Sequence, residues 1–214
     1  MKLPMFSTKS FLQVLVLGSA AFLAVAQAAN AKAPALTLNA EQQAAVHRID
    51  TYLNSYQSLK CNFAQVGTKG NLATGVLYIS KPGKLRFDYA GNPTLIIADG
   101  RWLTMMDRNR QRGDQFPLSA TPLRLVVSPH VDLLAETDVI AMDSRDGLTT
   151  VSLQDRKESL GGGFITLIFD EKLKHLTQWT VVDGKDRHTT VQLSHMEYGG
   201  QFDAKLFVTG ELNK

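Results

Sequence analysis

The chain has 214 residues, a formal net charge of +3 and 20% charged residues. This length suffices for one domain with a sizeable core, and the nearly balanced charge gives no strongly basic surface that would favour nucleic acid. A single cysteine, Cys61, excludes an internal disulfide, and we interpret it as a small buried side chain rather than a reactive thiol.

The amino terminus, residues 1–28, has the pattern of a secretory signal peptide. Lys2 and Lys9 form a positively charged segment, and the apolar stretch at residues 11–25 is short for a membrane-spanning helix. A pattern of small residues then allows cleavage after Ala28. We therefore predict an exported protein.

Cleavage would leave residues 29–214 as one domain, although a later cleavage after Ala31 fits the same pattern. Loss of the two leader lysines lowers the formal net charge from +3 to +1. An uncleaved membrane anchor is the alternative. A lipid anchor would need a cysteine directly after the cleavage site, whereas Cys61 lies far downstream.

Residues 39–59 predict one amphipathic helix. Asn39 precedes the first turn and has the side chain of a good N-cap. The apolar residues of this stretch recur at spacings of three and four and so share one face: Val46, Ile49, Leu53 and Tyr56.

After this helix the apolar period changes to two, which predicts strands. The first group of strands covers residues 71–80, 84–89, 94–99 and 101–106. A short helix is predicted within residues 121–134, as one or two turns before Pro129. The second group covers residues 139–142, 148–153, 164–169, 176–182 and 189–196. Tight turns join consecutive strands, which are therefore predicted to be antiparallel neighbours.

A sheet of about ten antiparallel strands tends to curl, and its apolar face needs a cover. The predicted helices are the long first one and the short one in the middle of the chain. Because two such helices cover little area, an incompletely filled apolar cavity is one interpretation. A well-packed sandwich would show the same pattern.

Residues 80–89 read SKPGKLRFDY and are followed by IIADG at residues 96–100. Three shorter motifs stand in order around them: FAQ at residues 63–65, GVL at 75–77 and TPL at 121–123. Together these motifs resemble the LolA-like family of periplasmic outer-membrane lipoprotein carriers. The resemblance covers residues 63–134, and the later half of the chain matches only as a pattern of strands.

The resemblance implies a mainly β fold: a half-open antiparallel β-barrel of about ten strands, covered by an N-terminal helix and a short mid-chain helix. It implies a carrier that shields lipoprotein acyl chains. We also predict a monomer with no cofactor and no enzymatic activity, because the sequence shows no recognisable pair of nucleophile and base. The implied partners are lipoproteins, an inner-membrane ATP-driven lipoprotein extractor and an outer-membrane lipoprotein receptor. In the family the receptor is itself a lipoprotein, so the missing lipid-anchor cysteine favours the carrier.

The resemblance also implies an acyl-chain-binding set. The residues that match cavity-facing positions of the family are Leu53, Leu85, Phe87, Ile96, Leu123 and Val126. Phe87 departs from the family, which usually has Trp at that position. For each of these residues ordinary core packing is the alternative.

Lys81 stands where the family commonly has an Arg that fastens the lid through hydrogen bonds to backbone carbonyls. Lysine keeps the charge but lacks the planar fork of guanidinium. A solvated lysine in a turn is the alternative interpretation.

Two other functions stay open at this stage. One is an envelope sensor of lipids or lipoproteins with the same fold, and the other is a periplasmic hydrolase. The hydrolase has little support because the sequence contains neither a G-x-S-x-G elbow nor histidines at the H-E-x-x-H spacing of a metal site.

Overall fold

The computed structural model describes residues 33–109, 112–156, 163–172 and 174–209. The predicted signal peptide, residues 1–28, and the alternative cleavage position at Ala31 lie outside these residues. Within the described ranges, no helix is both long enough and apolar enough to cross a membrane.

Eleven strands in the described part of the chain form one antiparallel sheet. They are β1 (Ser58–Gly67), β2 (Leu72–Ser80), β3 (Lys84–Tyr89), β4 (Thr94–Asp99), β5 (Trp102–Asp107), β6 (Arg112–Pro117), β7 (Thr137–Arg145), β8 (Leu148–Asp155), β9 (Phe164–Asp170), β10 (His175–Val182) and β11 (His188–Tyr198). Their order across the sheet is β6-β5-β4-β3-β2-β1-β11-β10-β9-β8-β7. The sheet is open, because β6 and β7 are its two edges and do not pair with each other.

The mainly β fold class is thus confirmed. Alternation predicted most strands because one face of the sheet is buried and the other is more exposed. In β3, for example, Leu85, Phe87 and Tyr89 are buried, and the residues between them are half-buried. Alternation predicted neither β6 nor β1, and only the FAQ motif indicated a strand at β1.

The first helix, α1, spans Ala40–Asn54. Asn39 is its N-cap, as predicted, and forms a capping box in which Gln42 N–H donates to the Asn39 side chain at 2.9 Å. The helix ends earlier than the predicted residue 59. The reason is that β1 begins at Ser58 and pairs with both β2 and β11, so its backbone groups are satisfied in the sheet.

Between β6 and β7 the chain forms a one-turn 3-10 helix (Leu118–Ala120) and two short helices, α2 (Leu123–Val127) and α3 (Leu133–Glu136). The short helix predicted before Pro129 is α2, and α3 follows it as a separate turn of helix. Ser128 is extended, with ψ of 142°. This conformation is expected for a residue that precedes a proline.

The main core lies between the helices and one face of the sheet, which we call the inner face. The opposite, outer face carries a small second cluster made of Leu95, Ile97 and Met106. A carboxy-terminal 3-10 turn (Ala204–Phe207) lies against β3 and β4, where Arg86 Nη1 donates to the carbonyl oxygen of Leu206 at 3.2 Å.

Candidate functional site

The six residues of the predicted acyl-chain-binding set lie in or against one apolar cluster on the inner face. Those that are almost completely buried are Leu53 on α1, Leu85 and Phe87 on β3, and Val126 on α2. Those that are half-buried and pack against the same cluster are Ile96 on β4 and Leu123 on α2. Elements far apart in sequence thus contribute to a single apolar surface.

The inner face becomes more exposed toward β6. Across the strands, Phe87 stands opposite Ile96, and Ile96 stands opposite Met105. The exposed fraction of the residue is 3% at Phe87 and 43% at Met105. In the neighbouring row, Leu103 is buried, whereas Phe116 on β6 is 45% exposed. The same apolar face is therefore covered by helices at β3 and open to solvent at β5 and β6.

We call Met105 and Phe116 the apolar margin. Neither residue was predicted from the sequence to belong to the site. The alternation that places Leu103 on the inner face also places Met105 there. The position of Phe116 has no such signal, because β6 was not predicted.

Aromatic side chains occupy the middle of the inner face. The ring of Phe63 lies 5.1 Å from that of Phe87 and 5.1 Å from that of Tyr89, both edge to face. Trp179 meets Phe87 at 6.3 Å between ring centroids. Edge-to-face aromatic pairs at these distances stabilise the fold beyond the effect of their burial. These rings therefore form a well-packed part of the inner face.

Lys81 directly follows β2 and is buried, with 8% of the residue exposed. Its ammonium donates a hydrogen bond to the carbonyl oxygen of Leu53 in the last turn of α1. The same nitrogen lies 4.5 Å from the centroid of the Tyr56 ring. Burial lowers the pKa of this ammonium to about 8. Lys81 is therefore not a solvated turn residue in this structure.

The turn that holds Lys81 also contacts α2. The main-chain N–H of Lys81 donates to the carbonyl of Gln57 at 2.8 Å, and that of Gly83 donates to the carbonyl of Val127 at 2.8 Å. Gly83 has φ of 74°, and a Cβ there would lie 2.7 Å from Cα of Gly100. Glycine is required for both reasons. We call residues 81–83 the helix clasp, because this one turn is joined to both α1 and α2.

The helices are also attached on the opposite side, near β7. Arg124 on α2 donates through Nε to Asp155 of β8 at 3.1 Å, and through Nη1 to Glu136 of α3. Asp155 is only 3% exposed. Asp50 of α1 accepts from the N–H of Leu133 at 3.0 Å, and its burial raises the pKa of its carboxyl group.

The site offers apolar burial and a few placed hydrogen bonds. In the described ranges, His, Cys, Asp and Glu side chains do not gather into a group of three that could hold a metal ion. Cys61 is buried in β1, and desolvation raises the pKa of its thiol to about 12. A thiol with such a pKa is a poor nucleophile, so Cys61 acts as a packing residue.

The family model described as outer membrane lipoprotein carrier protein LolA matches residues 54–209. An outer-membrane lipoprotein carrier protein of Pseudomonas paraeruginosa is 27% identical over 180 residues, which cover 79% of this chain and 85% of that protein. The carrier protein of Coxiella burnetii is 24% identical over 177 residues, which cover 78% and 82%. A crystal structure of a LolA superfamily protein from Nitrosomonas europaea is similar with a TM-score of 0.47 and 10% identity, covering 78% of this chain and 96% of that one. The chain belongs to the outer-membrane lipoprotein carrier family.

Proposed function

We propose that this protein is a periplasmic carrier that shields the acyl chains of lipoproteins and delivers them to an outer-membrane receptor. The observation that carries the proposal is the continuous apolar inner face, which is covered by helices at β3 and exposed at the apolar margin. The carrier names of the relatives agree with it. The function is therefore binding and release rather than catalysis.

The partly covered face suits a protein that must release its cargo. Burying a methylene group contributes about 0.8 kcal/mol, so complete burial of one sixteen-carbon chain would contribute on the order of 12 kcal/mol. Cargo held so firmly would leave very slowly. Helices that lie over the inner face and can move away would allow strong shielding and release in turn.

In this proposal the acyl chain takes the place of the helices' own apolar side chains. Leu53 and Val126 on the helices belong to the same buried cluster as Leu85 and Phe87 on β3. Opening α1 and α2 would expose that surface to the acyl chain. Lys81 would fasten the closed form through its bond to the carbonyl of Leu53, and the rest of the helix clasp would hold α2.

The remaining parts of the proposal concern location and partners. The signal peptide at residues 1–28 would direct the chain to the periplasm. There it would receive lipoproteins from an inner-membrane ATP-driven extractor, carry them as a monomer, and pass them to the outer-membrane receptor.

The test of binding is native mass spectrometry of the protein purified from periplasm, together with displacement of a fluorescent fatty acid. We expect a retained acylated species at one copy per protein. Ile96→Glu should abolish both signals, because a charge on the inner face is strongly unfavourable for an apolar ligand. Leu85→Glu should also abolish both signals. An unchanged far-UV circular dichroism spectrum would show that this loss is not caused by unfolding.

The matched control is Val66→Glu. Val66 is an exposed strand residue next to Gln65 in β1 and points to the outer face, so its change should leave binding intact. Loss of binding in Val66→Glu as well, or retained binding in Ile96→Glu, would place the ligand somewhere other than the inner face.

The test of the clasp is transfer of a lipoprotein from the loaded carrier to its receptor. A hydrogen bond to a charged group contributes roughly 1.5 to 3 kcal/mol, so Lys81→Leu should shift the open and closed populations by about ten- to a hundredfold. We expect binding to persist and transfer to be impaired, while Lys81→Arg transfers normally or better. Transfer by Lys81→Leu at the wild-type rate would limit Lys81 to a structural role.

A further inference from the structure

One polar pair interrupts the apolar inner face. The hydroxyl of Tyr89 on β3 donates to Oε1 of Gln65 on β1 at 2.8 Å. Gln65 stands opposite Val191 on β11 and Ala73 on β2, and both of these residues belong to or pack against the main core. The pair therefore lies on the same face as the predicted acyl-chain-binding set.

The packing around Tyr89 fixes its hydroxyl in place. Tyr89 is buried, and its ring contacts Phe63 edge to face. Gly75 lies opposite both residues, and a Cβ there would come 2.8 Å from the Phe63 ring and 2.1 Å from the carbonyl oxygen of Asp88. Burial raises the pKa of Tyr89 to about 12, so the hydroxyl stays protonated and donates at neutral pH.

This arrangement orients the amide of Gln65. Because Oε1 accepts from Tyr89, Nε2 presents its two N–H groups away from that bond. Gln65 is half-buried, so these donors are reachable by a ligand that occupies the inner face.

The pair lies at the end of the face opposite the helix clasp. Ser58, at the start of β1, pairs with Ser80, which directly precedes Lys81. Gln65 is seven residues further along β1, a distance of roughly 20 Å at the usual rise of a strand. Phe63, Phe87 and Leu85 occupy the interval on the same face. An extended long acyl chain would fit along it.

We propose that Gln65 binds the head end of the acyl ligand, by donating a hydrogen bond from Nε2 to the carbonyl oxygen of the ester or amide that joins the chain to its polar part. Tyr89 is a positioning residue, because it holds the Gln65 amide without touching the ligand. A few placed polar groups in an apolar site set the orientation of a ligand in this way. This subsite rests on the proposed carrier function. It orients the acyl chain so that its methyl end points toward Leu53 and the helix clasp.

The test compares two ligands that differ in the carbonyl group, methyl dodecanoate and tetradecane, by displacement of a fluorescent fatty acid. In the double variant Gln65→Met/Tyr89→Phe both partners become apolar groups of similar shape, a change with little cost to stability. We expect its affinity for the ester to fall about two- to tenfold and its affinity for the alkane to be unchanged or higher.

A second variant separates the donor from the positioning bond. Tyr89→Phe removes the positioning bond but keeps the Gln65 amide without adding a charge to the inner face, so ester affinity should fall less than in the double variant and alkane affinity should not fall. Tyr78→Phe is the matched control. Tyr78 faces Phe202, with ring centroids 5.4 Å apart, on the outer side of the sheet, and its change should affect neither ligand.

The outcomes distinguish the subsite from the carrier function. If the wild-type protein binds neither ligand, the carrier function is refuted and the subsite with it. If it binds both, and the double variant weakens both equally or neither, the subsite alone is overturned and the carrier function stands. A selective loss of ester affinity supports the subsite.

Discussion

The two edges of the sheet differ in how firmly they are joined to the helices. At the β7 edge, Arg124 connects α2 to β8 and α3, and the N–H of Leu36 donates to the carbonyl of Val139 at 2.7 Å. Asn54 of α1 makes two hydrogen bonds of 2.8 Å to the backbone of Val131, which join α1 to the segment before α3 rather than to a strand. Both polar bonds and apolar burial therefore hold this edge.

The β6 edge has few such attachments. Residues 113–117 are all exposed, and the apolar margin of Met105 and Phe116 faces solvent. On this side the described hydrogen bonds from the sheet to α1 and α2 come chiefly from the helix clasp. The inner face is apolar at both edges, so the two edges differ in how the helices cover that face.

This difference indicates where the fold opens. Local opening occurs at lowest cost where few buried apolar contacts and few shielded hydrogen bonds must be broken. We therefore expect α1 and α2 to stay attached near β7 and to separate from the sheet near β6 once the clasp is released. Mutations at the two edges should then have very different effects on stability.

The largest effect is expected at Arg124. Arg124→Met would leave the buried carboxylate of Asp155 without this guanidinium, and breaking a buried ion pair costs roughly 3 to 5 kcal/mol. Urea unfolding followed by tryptophan fluorescence measures the loss. Arg145→Met is the control, because its pair with Asp143 is exposed and should contribute nothing measurable. Equal stability of the two variants would contradict the inference that Arg124 attaches the helices firmly at the β7 edge.

A slightly smaller effect is expected from apolar truncation. Leu133→Ala removes a fully buried side chain from α3 and should lower the free energy of unfolding by roughly 2 to 4 kcal/mol. Phe116→Ala, at the other edge, removes a larger but half-exposed side chain and should cost less than about 1 kcal/mol. If Phe116→Ala were the more damaging change, the comparison of the edges would be reversed.

The clasp should show its own dependence on pH. The pKa of Lys81 is about 8 in the folded protein, below its ordinary value of 10.5, because burial disfavours the charge. The unfolded chain therefore binds more protons between these two values, and stability rises with pH across that window. From about pH 7.5 to about pH 9.5 the wild type should gain about 1 to 2 kcal/mol relative to Lys81→Met.

Only the difference between the two proteins is informative here, because buried tyrosines such as Tyr52 and Tyr56 also have raised pKa values and titrate in both. Unfolding curves recorded at several pH values give that difference. Parallel pH profiles would show that the ammonium of Lys81 is solvated in the folded protein.

The smallest effect has the opposite sign. Asp50→Asn keeps an acceptor for the N–H of Leu133 and removes a buried charge, so it should stabilise the protein slightly at neutral pH. Burial raises the pKa of Asp50, so the folded state holds its proton more firmly than the unfolded state. The advantage of the amide over the ionised carboxylate should therefore vanish as the pH falls below the raised pKa. A destabilised Asp50→Asn protein at neutral pH would mean that the charge of Asp50 is well compensated.

The sequence predicted elements whose signal is local. The capping box at Asn39 and the turns between strands depend on residues only a few positions apart, and alternation within a strand reports directly on burial of one face. Strand β6 had no such signal. Its segment, Arg112–Pro117, contains one large apolar residue and pairs only with β5, so there was little alternation to detect.

Strand β11 shows how tertiary pairing overrides a local pattern. Its register against β1 shifts between Lys60 and Asn62, and His195 adopts φ of 54° there. The irregularity moves the alternation by one residue, so Tyr198 pairs with Leu59 and contacts Tyr52 of α1. Simple alternation from Val191 would have placed Tyr198 on the other face.

By itself, the sequence determined the mainly β class, the capped first helix and, through the resemblance, which apolar residues gather on one face. Those features follow from period, turn chemistry and motif order, all of which are carried by neighbouring residues. Tertiary structure alone decided that Lys81 reaches the carbonyl of Leu53, that Tyr89 orients Gln65, and that one edge is fastened while the other is open. These contacts depend on strand register and on helices that lie across the sheet, which bring together groups separated by tens of residues and cannot be deduced from local spacing.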